Sequence, residues 1–241
     1  MKRISIILLL LVLGGLGIMA AGRGGQPASI ILARWNPWAL PDPAQKPGWL
    51  TSWQLARLAD DTPACLAWLG RAGVDVSTIP DREGAEPGCD LSGAATLRQS
   101  LLRYQGRVTA SCPVLAGLAL YERHVLIPAA ERHLGTRPIS ARHLGTYACR
   151  AVRTGRGEGG RRSQHATANA IDIAAITLAD GRETTLVRDW GERGGTGPRA
   201  LFWRDAHDGA CDIFRTVLGP EYNALHRDHF HLDMARFGIC R

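Results

Sequence analysis

Apolar and polar residues alternate along two short stretches of the chain, and this alternation predicts two β-strands. The stretches lie within Ser163–Asp172 and His226–Asp233. Because successive side chains of a strand point to opposite faces, each stretch has an apolar face for a core and a polar face for a site. The polar faces carry Ala168, Ala170 and Asp172 in the first stretch and His229, His231 and Asp233 in the second.

Apolar positions at helical spacing predict three helical regions elsewhere. Their bounds are Thr62 to Gly73, Ser111 to Gly135 with a division at Pro128, and Arg199 to Val217. In the first of these, Thr62 is the expected N-cap and Pro63 occupies the first turn. A β-hairpin is expected around the turn at Asp180 and Gly181. The predicted fold class is therefore α+β, with a small antiparallel sheet carrying the site and helices packed on its opposite face.

Length and composition favour one domain behind a leader. The chain has 241 residues, of which 45% are hydrophobic, enough for a substantial core. Lys2 and Arg3 precede a mostly apolar run that ends near Ala21, which is typical of an export signal or a membrane anchor. We expect residues 1–22 to be a signal peptide or N-terminal anchor, 23–49 a linker, and 50–241 the domain.

The charged residues and the cysteines indicate an extracytoplasmic protein. The net charge of +7 fits an anionic surrounding such as a cell-wall polymer or a membrane surface. The basic residues are almost all arginine, without the aromatic-interleaved runs of nucleic-acid-binding proteins, so no nucleic-acid partner is expected. Six cysteines fit disulfides in an oxidising compartment. Sequence leaves 15 pairings open, and chain order alone favours Cys65 with Cys89.

Three residues in the two polar stretches form a candidate metal centre. Two imidazoles and one carboxylate are a common catalytic zinc set with a fourth position open to water, and His165, Asp172 and His231 fit it. Asp228 and His229 remain beside them, as a proton acceptor and an oxyanion donor. Since Asp228 and His231 are three residues apart, the strand must begin after Asp228 or twist there. The Gly- and Arg-rich run 154–162 is expected to be a loop at the mouth of this site.

The motif Ser-x-His-x-x-Gly-x-Ala-x-Asp, followed later by carboxylate-x-x-His, resembles the zinc D-alanyl-D-alanine peptidases and their lysostaphin-like and hedgehog-like relatives. Within that group the chain is similar to the bacterial extensin-like C-terminal domain family, from about Cys65 to Arg241. The matching segments are Thr146–Arg150, Ser163–Asp172, Val217–Pro220 and His229–Asp233. One departure is Ala168, where the broader motif has glycine.

The resemblance implies a zinc-dependent hydrolase of the cell envelope that cleaves amide bonds in peptidoglycan peptides. It also implies that Arg150, 15 residues before His165, binds a substrate carbonyl or carboxylate. The expected location is the periplasm or another extracytoplasmic space, with possible anchoring to the inner membrane. A fourth protein ligand from His229 would instead make the site structural and the protein a non-catalytic wall-binding module. The bond cleaved and the oligomeric state stay open.

Overall fold

The computed structural model describes residues 35–154 and 157–241, which form a mixed α+β domain with three sheets. The expected leader, residues 1–22, and the first part of the expected linker, residues 23–34, lie outside the described residues. Among the described helices, none combines the length and apolar character that a membrane crossing requires. The α+β class is confirmed, and the antiparallel sheet that carries the candidate residues is present.

Six α-helices and several short 3-10 turns are present in the described part of the chain. The helices are α1 (Thr51–Ala56), α2 (Thr62–Ala72), α3 (Cys112–Tyr121), α4 (Ile127–Leu134), α5 (Leu186–Asp189) and α6 (Pro198–Cys211). Helix α2 ends at Gly73 as predicted, but its N-cap is Asp61, whose carboxylate accepts the backbone N–H of Ala64. Thr62 is thus the first helical residue and not the cap.

The predicted long helix is divided just before Pro128. A π-helical segment, Glu122–Leu126, joins α3 to α4, and α4 ends at Gly135 with φ of 71°. Every residue of α3 is buried. Gly117 on this helix permits a close approach, since a Cβ there would lie 2.8 Å from the ring of Phe214. Helix α3 is therefore the central packing element.

Twelve strands complete the described fold. They are β1 (Asp75–Thr78), β2 (Ala94–Gln99), β3 (Arg103–Gln105), β4 (Thr109–Ser111), β5 (Pro138–Gly145), β6 (Ala151–Thr154), β7 (Gly157–Arg162), β8 (Ala170–Leu178), β9 (Glu183–Thr185), β10 (Thr216–Leu218), β11 (Phe230–Asp233) and β12 (Ile239–Cys240). The largest sheet has seven strands in the order β12-β10-β11-β8-β5-β3, with β9 also paired to β8. Strands β1, β2 and β4 form a second sheet, and β6 and β7 a third.

The main sheet differs from the prediction at its edges. The pairs β10–β12 and β3–β5 are parallel, whereas the central pairs are antiparallel. Strand β10 replaces the end of the helix predicted to reach Val217, because α6 stops at Cys211 and the chain then pairs with β11. The run 154–162, predicted to be a loop, contains the whole of strand β7, which pairs with β6. The hairpin of β8 and β9 is confirmed.

Three disulfides link distant parts of the domain: Cys65–Cys112, Cys89–Cys149 and Cys211–Cys240. The predicted pairing of Cys65 with Cys89 is wrong. Cys65 lies on α2, which packs against α3 and so meets Cys112. The supersecondary packing, and not the order of cysteines along the chain, selects the partners.

Candidate metal centre

The pairing of β8 with β11 places the two polar stretches side by side. Asp172 of β8 lies directly opposite His231 of β11 in an antiparallel register. Their neighbours Ile171, Ile173, Phe230 and Leu232 are all buried. The apolar faces thus enter the core, as the alternation predicts, and Asp172 and His231 face the other side together.

His165 reaches this pair from a 3-10 turn and not from a strand. The turn spans Gln164–Thr167, and the Ser163 side chain caps it by accepting the backbone N–H of His165. Ala168 ends the turn with φ of 53°, in the left-handed region that favours glycine. This is the position where the resembling motif carries glycine, the residue that adopts a positive φ at the lowest cost.

Three ligand-type atoms converge at the centre. His165 Nε2 lies 3.2 Å from Asp172 Oδ1 and 3.1 Å from His231 Nδ1, and His231 Nδ1 lies 3.0 Å from Asp172 Oδ1. A tetrahedral zinc ion with ligands at about 2.0–2.1 Å requires ligand-to-ligand distances of about 3.3 Å. The observed triangle is close to that size.

The outer ring nitrogens have hydrogen-bond partners that fix the imidazoles. His165 Nδ1 lies 3.3 Å from the Thr146 carbonyl, and His231 Nε2 lies 2.9 Å from Asp233 Oδ2. If these nitrogens donate, the lone pairs of His165 Nε2 and His231 Nδ1 face each other and the Asp172 carboxylate. Three acceptors at this distance repel one another unless a cation or proton lies between them. Carbonyl and carboxylate partners of this kind are typical of metal-binding histidines.

In the absence of a metal ion, the pKa values of Asp172 and His231 reflect the same close approach of the carboxylate and the imidazoles. Burial alone would raise the pKa of Asp172, but hydrogen bonds and charge from His165 and His231 outweigh it and hold that pKa well below its usual value. Burial opposes the charged form of His231, yet Asp172 and Asp233 raise its pKa to about 9. A proton on His231 therefore occupies part of the place that a metal ion would take.

Asp228 and His229 come immediately before β11, so the strand begins after Asp228, as the spacing requires. His229 Nδ1 lies 2.9 Å from Asp228 Oδ1, and His229 Nε2 lies 3.7 Å from Asp172 Oδ1. The side chain of Asp228 is 48% exposed, whereas that of His229 is largely buried. The pair thus links the metal-ligand candidates to solvent.

His226 also lies at this site, and the charge of Arg150 acts on it electrostatically. Burial, followed by the charges of His229 and His231, lowers the pKa of His226 to about 4, and Arg150 contributes to that lowering. The ring of His226 lies 5.3 Å from that of His229, between centroids, and its Nδ1 is 2.8 Å from Asn223 Oδ1. Arg150 donates to the carbonyl of Ala151 and its own carbonyl accepts the N–H of Ser163.

The donor set fits zinc on chemical grounds. Two nitrogens and one carboxylate oxygen lie within 4.8 Å of one another, and imidazole with carboxylate suits this ion. A second group of that kind, His207 with Cys211 and Cys240, does not fit, because its two cysteines form a disulfide and have no thiolate to offer.

The structure brings together five of the residues predicted for the site, namely the trio His165, Asp172 and His231 and the pair Asp228 and His229, whereas the guanidinium of Arg150 bonds to the Ala151 carbonyl. Sequence reasoning missed the contribution of His226 and the supporting Thr146 carbonyl. His226 had one usable signal, since it stands in the same His-rich stretch. A backbone carbonyl leaves no signal in a sequence.

The domain is a disulfide-linked α+β fold with a His-Asp-His candidate metal centre. Residues 63–241 match the family model described as extensin-like protein C-terminus, and the chain belongs to this family. A search of curated proteins found no match, and neither did a search of solved structures.

Proposed function

We propose that the protein is a zinc-dependent hydrolase of the cell envelope that cleaves amide bonds in peptidoglycan peptides. The observation that carries this proposal is the convergence of His165 Nε2, Asp172 Oδ1 and His231 Nδ1 within 3.2 Å of one another. Such a set leaves a tetrahedral ion one coordination position for a small ligand. A bound zinc ion supplies Lewis acidity and lowers the pKa of water toward about 7.

Asp228 is the proposed proton acceptor and donor. Its Oδ1 receives the Nδ1–H of His229, while the partly exposed carboxylate retains a second oxygen. A carboxylate in this position can take a proton from the attacking water and deliver it to the leaving amine. Its location beside the trio and at the solvent boundary supports this role.

His229 and Arg150 are the proposed donors to the developing oxyanion. The hydrogen bond between His229 Nδ1 and Asp228 orients the ring so that its Nε2 faces the trio, 3.7 Å from Asp172 Oδ1. Arg150 carries a permanent positive charge, which contributes to the lowered pKa of His226. Donors of this type contribute a few kcal/mol each, about 2.7–4, in enzymes where they have been removed singly.

The position of His229 favours a catalytic over a structural centre. Among the described residues, the group of possible ligands within 4.8 Å of one another is the trio, without His229. The Nδ1 of His229 already bonds to Asp228 Oδ1. A structural zinc site requires four protein ligands. The competing function, a non-catalytic wall-binding module, would need His229 to turn from Asp228 and join the trio.

The envelope location and the substrate are supported by cysteine chemistry and by charge. All six cysteines are in disulfides, which persist in oxidising compartments. The net charge of +7 suits an anionic wall polymer. The motif resemblance to D-alanyl-D-alanine peptidases points to peptides rich in D-amino acids.

The test combines zinc content with hydrolysis of purified muropeptides. We expect about one zinc per wild-type chain and release of a shortened peptide. His231→Ala should lose the metal and the activity together. Asp228→Ala should keep the metal and lose at least about 100-fold in rate, as general acid–base groups contribute about 10²–10⁴-fold. His133→Gln, which alters a histidine paired with Asp205 on the helical side, is the matched control.

His229→Ala separates the two candidate functions. Retention of zinc with slower hydrolysis supports the catalytic site. Loss of zinc in His229→Ala as well as in His231→Ala, without hydrolysis in the wild type, would establish the structural site instead. A wild-type protein that binds no zinc would contradict both.

A further inference from the structure

A groove beside the candidate centre has no role in the proposed chemistry. Its volume is about 490 Å³, and its walls come from the segment after β1, strands β2 and β4, and Tyr147. Tyr147 directly follows Thr146, whose carbonyl holds the ring of His165. The groove therefore begins one residue from the support of a candidate metal ligand.

Covalent and hydrogen-bonded links hold the groove wall to the segment that contains Tyr147 and Cys149. The Cys89–Cys149 disulfide joins the loop that follows β1 to the segment before β6, and Tyr147 donates its hydroxyl to the Cys89 carbonyl at 3.0 Å. Arg162 binds the same loop through the Pro87 carbonyl and Glu86. The shape of the groove is thus fixed before any ligand arrives.

The floor of the groove is tied to the metal-site turn through β4. Thr96 and Thr109 line the groove and bond to each other at 2.8 Å between their hydroxyl oxygens. Two residues further, the Ser111 N–H donates to the carbonyl of Ala168, and the Ser111 hydroxyl bonds to the Asn169 side chain. Strand β4 thereby runs from the groove to the turn that carries His165.

The charged groups lining the groove leave it positive. Arg82 and Arg107 are both exposed, and neither guanidinium has a carboxylate partner among residues 35–154 and 157–241. Arg82 lies over the Tyr147 ring at 5.7 Å. Asp81, the acidic residue of the lining, uses its Oδ1 to accept the backbone N–H of Gly93. Two guanidinium groups without a carboxylate partner among the described residues are suited to carboxylates, which they bind in a bidentate manner.

We propose that this groove is a substrate subsite that binds a carboxylate-bearing stretch of peptide, through Arg82 and Arg107, while the scissile bond lies at the metal centre. The inference rests on the proposed function for the identity of that peptide as a peptidoglycan stem. It adds a specificity element, because the free carboxylates of the stem peptide are bound at a distance from the bond that reacts.

Binding is measured without turnover, on the full-length protein with EDTA present. The probes are a disaccharide-tetrapeptide muropeptide with free carboxylates and the same muropeptide with its carboxylates amidated. Wild type is expected to bind the free acid about tenfold more tightly than the amide, consistent with charge-assisted hydrogen bonds. The double variant Arg82→Gln, Arg107→Gln is expected to bind the two probes within about twofold of each other.

The control is Arg57→Gln with Arg71→Gln, which removes the same charge from exposed positions outside the groove lining. It should keep the tenfold preference. Equal affinity of wild type for both probes, or an undiminished preference in the Arg82/Arg107 variant, overturns the proposal. Because EDTA removes the metal, the binding measurement is independent of hydrolysis. If wild type prefers the free acid but shows no zinc-dependent hydrolysis, the groove assignment holds and the proposed function fails. If it hydrolyses muropeptides but binds both probes equally, the proposed function holds and the groove assignment fails.

Discussion

Ala168 determines how the turn that carries His165 enters β8. Its φ of 53° allows its N–H to return to the His165 carbonyl, and its own carbonyl accepts from Ser111. For an L-residue, this conformation costs about 1–2 kcal/mol relative to ordinary helical geometry. The native contacts around the fully buried methyl group offset that cost.

Ala168→Gly is therefore expected to leave stability nearly unchanged, within about 0.5 kcal/mol, because relief of the left-handed conformation offsets the greater freedom of glycine in the unfolded chain. Urea unfolding of the two proteins measures the difference. The matched control is Ala170→Gly in β8, two residues away and equally buried. At that strand position glycine relieves no backbone strain, and we expect the free energy of unfolding to fall by about 1–2 kcal/mol. Equal losses at the two positions would contradict the role assigned to Ala168.

At the residue scale, the sequence was informative where spacing constrains geometry. Period-2 alternation placed Asp172 and His231 on the same side of adjacent strands, and the register confirms it. It could not show that the ring of His226 lies next to that of His229, because His226 lies in a 3-10 turn with no fixed relation to the strand. Disulfide partners were equally inaccessible, since Cys89 and Cys149 are separated by 60 residues in the chain and come together only in the folded domain.

Among the elements, the π-helical segment between α3 and α4 holds a buried carboxylate. Glu122 accepts hydrogen bonds from the Ser100 hydroxyl at 2.5 Å, the Leu102 N–H at 3.2 Å and the Tyr104 hydroxyl at 2.7 Å. These bonds fasten β3 and the chain before it to the central helix. Pro128 predicts a division of that helix, but no sequence signal indicates that the division is a π-helical segment around a buried acid.

Burial raises the pKa of the Glu122 carboxyl, and hydrogen bonds from Ser100 and Tyr104 oppose this only in part. An ordinary glutamate titrates near about 4.3. The folded state thus binds the proton more tightly than the unfolded state. Stability from the protonated form is fully present below about pH 4.3 and is lost as pH rises through the folded pKa.

Glu122→Gln should consequently become more stable relative to wild type as the pH rises above about 4.3, because the amide has no proton to lose. The amide can still accept from Ser100 and donate toward Tyr104. Chemical denaturation at several pH values measures the difference in the free energy of unfolding between the two proteins. The histidines are the same in both proteins, so their contribution cancels in this difference. Glu131→Gln, at an exposed position near Arg137, should show no such trend. A pH-independent difference for Glu122→Gln would show that its carboxyl is ionised in the folded state.

At the scale of the whole molecule, the candidate centre joins parts of the chain that are far apart in sequence. His165 belongs to a turn held by Thr146 and Ser111, Asp172 to the central strand, and His231 to a strand near the C-terminus. The α+β class and the pairing of the central strands could be predicted, because alternation and helical periodicity are local signals. The parallel edge strands could not, because β3 and β12 are three and two residues long and depend on neighbours for their pairing.

A ligand that holds these separate segments together must stabilise the fold as a whole. Zinc at 100 times its dissociation constant should add about 2.7 kcal/mol to the free energy of unfolding. For a domain of this size, that corresponds to a rise in Tm of about 5–10 °C. Because all six cysteines are in disulfides, the unfolded chain has no thiolates with which to compete for the ion.

Thermal unfolding of the metal-stripped protein, with and without zinc, measures this effect independently of any enzymatic activity. Magnesium should leave Tm unchanged, since it prefers octahedral oxygen ligands over a site with two imidazoles. His231→Ala should abolish the response to zinc, whereas His133→Gln should retain it. A rise in Tm that persists in His231→Ala would place the ion elsewhere, and that result would remove the physical basis for assigning hydrolysis to this centre.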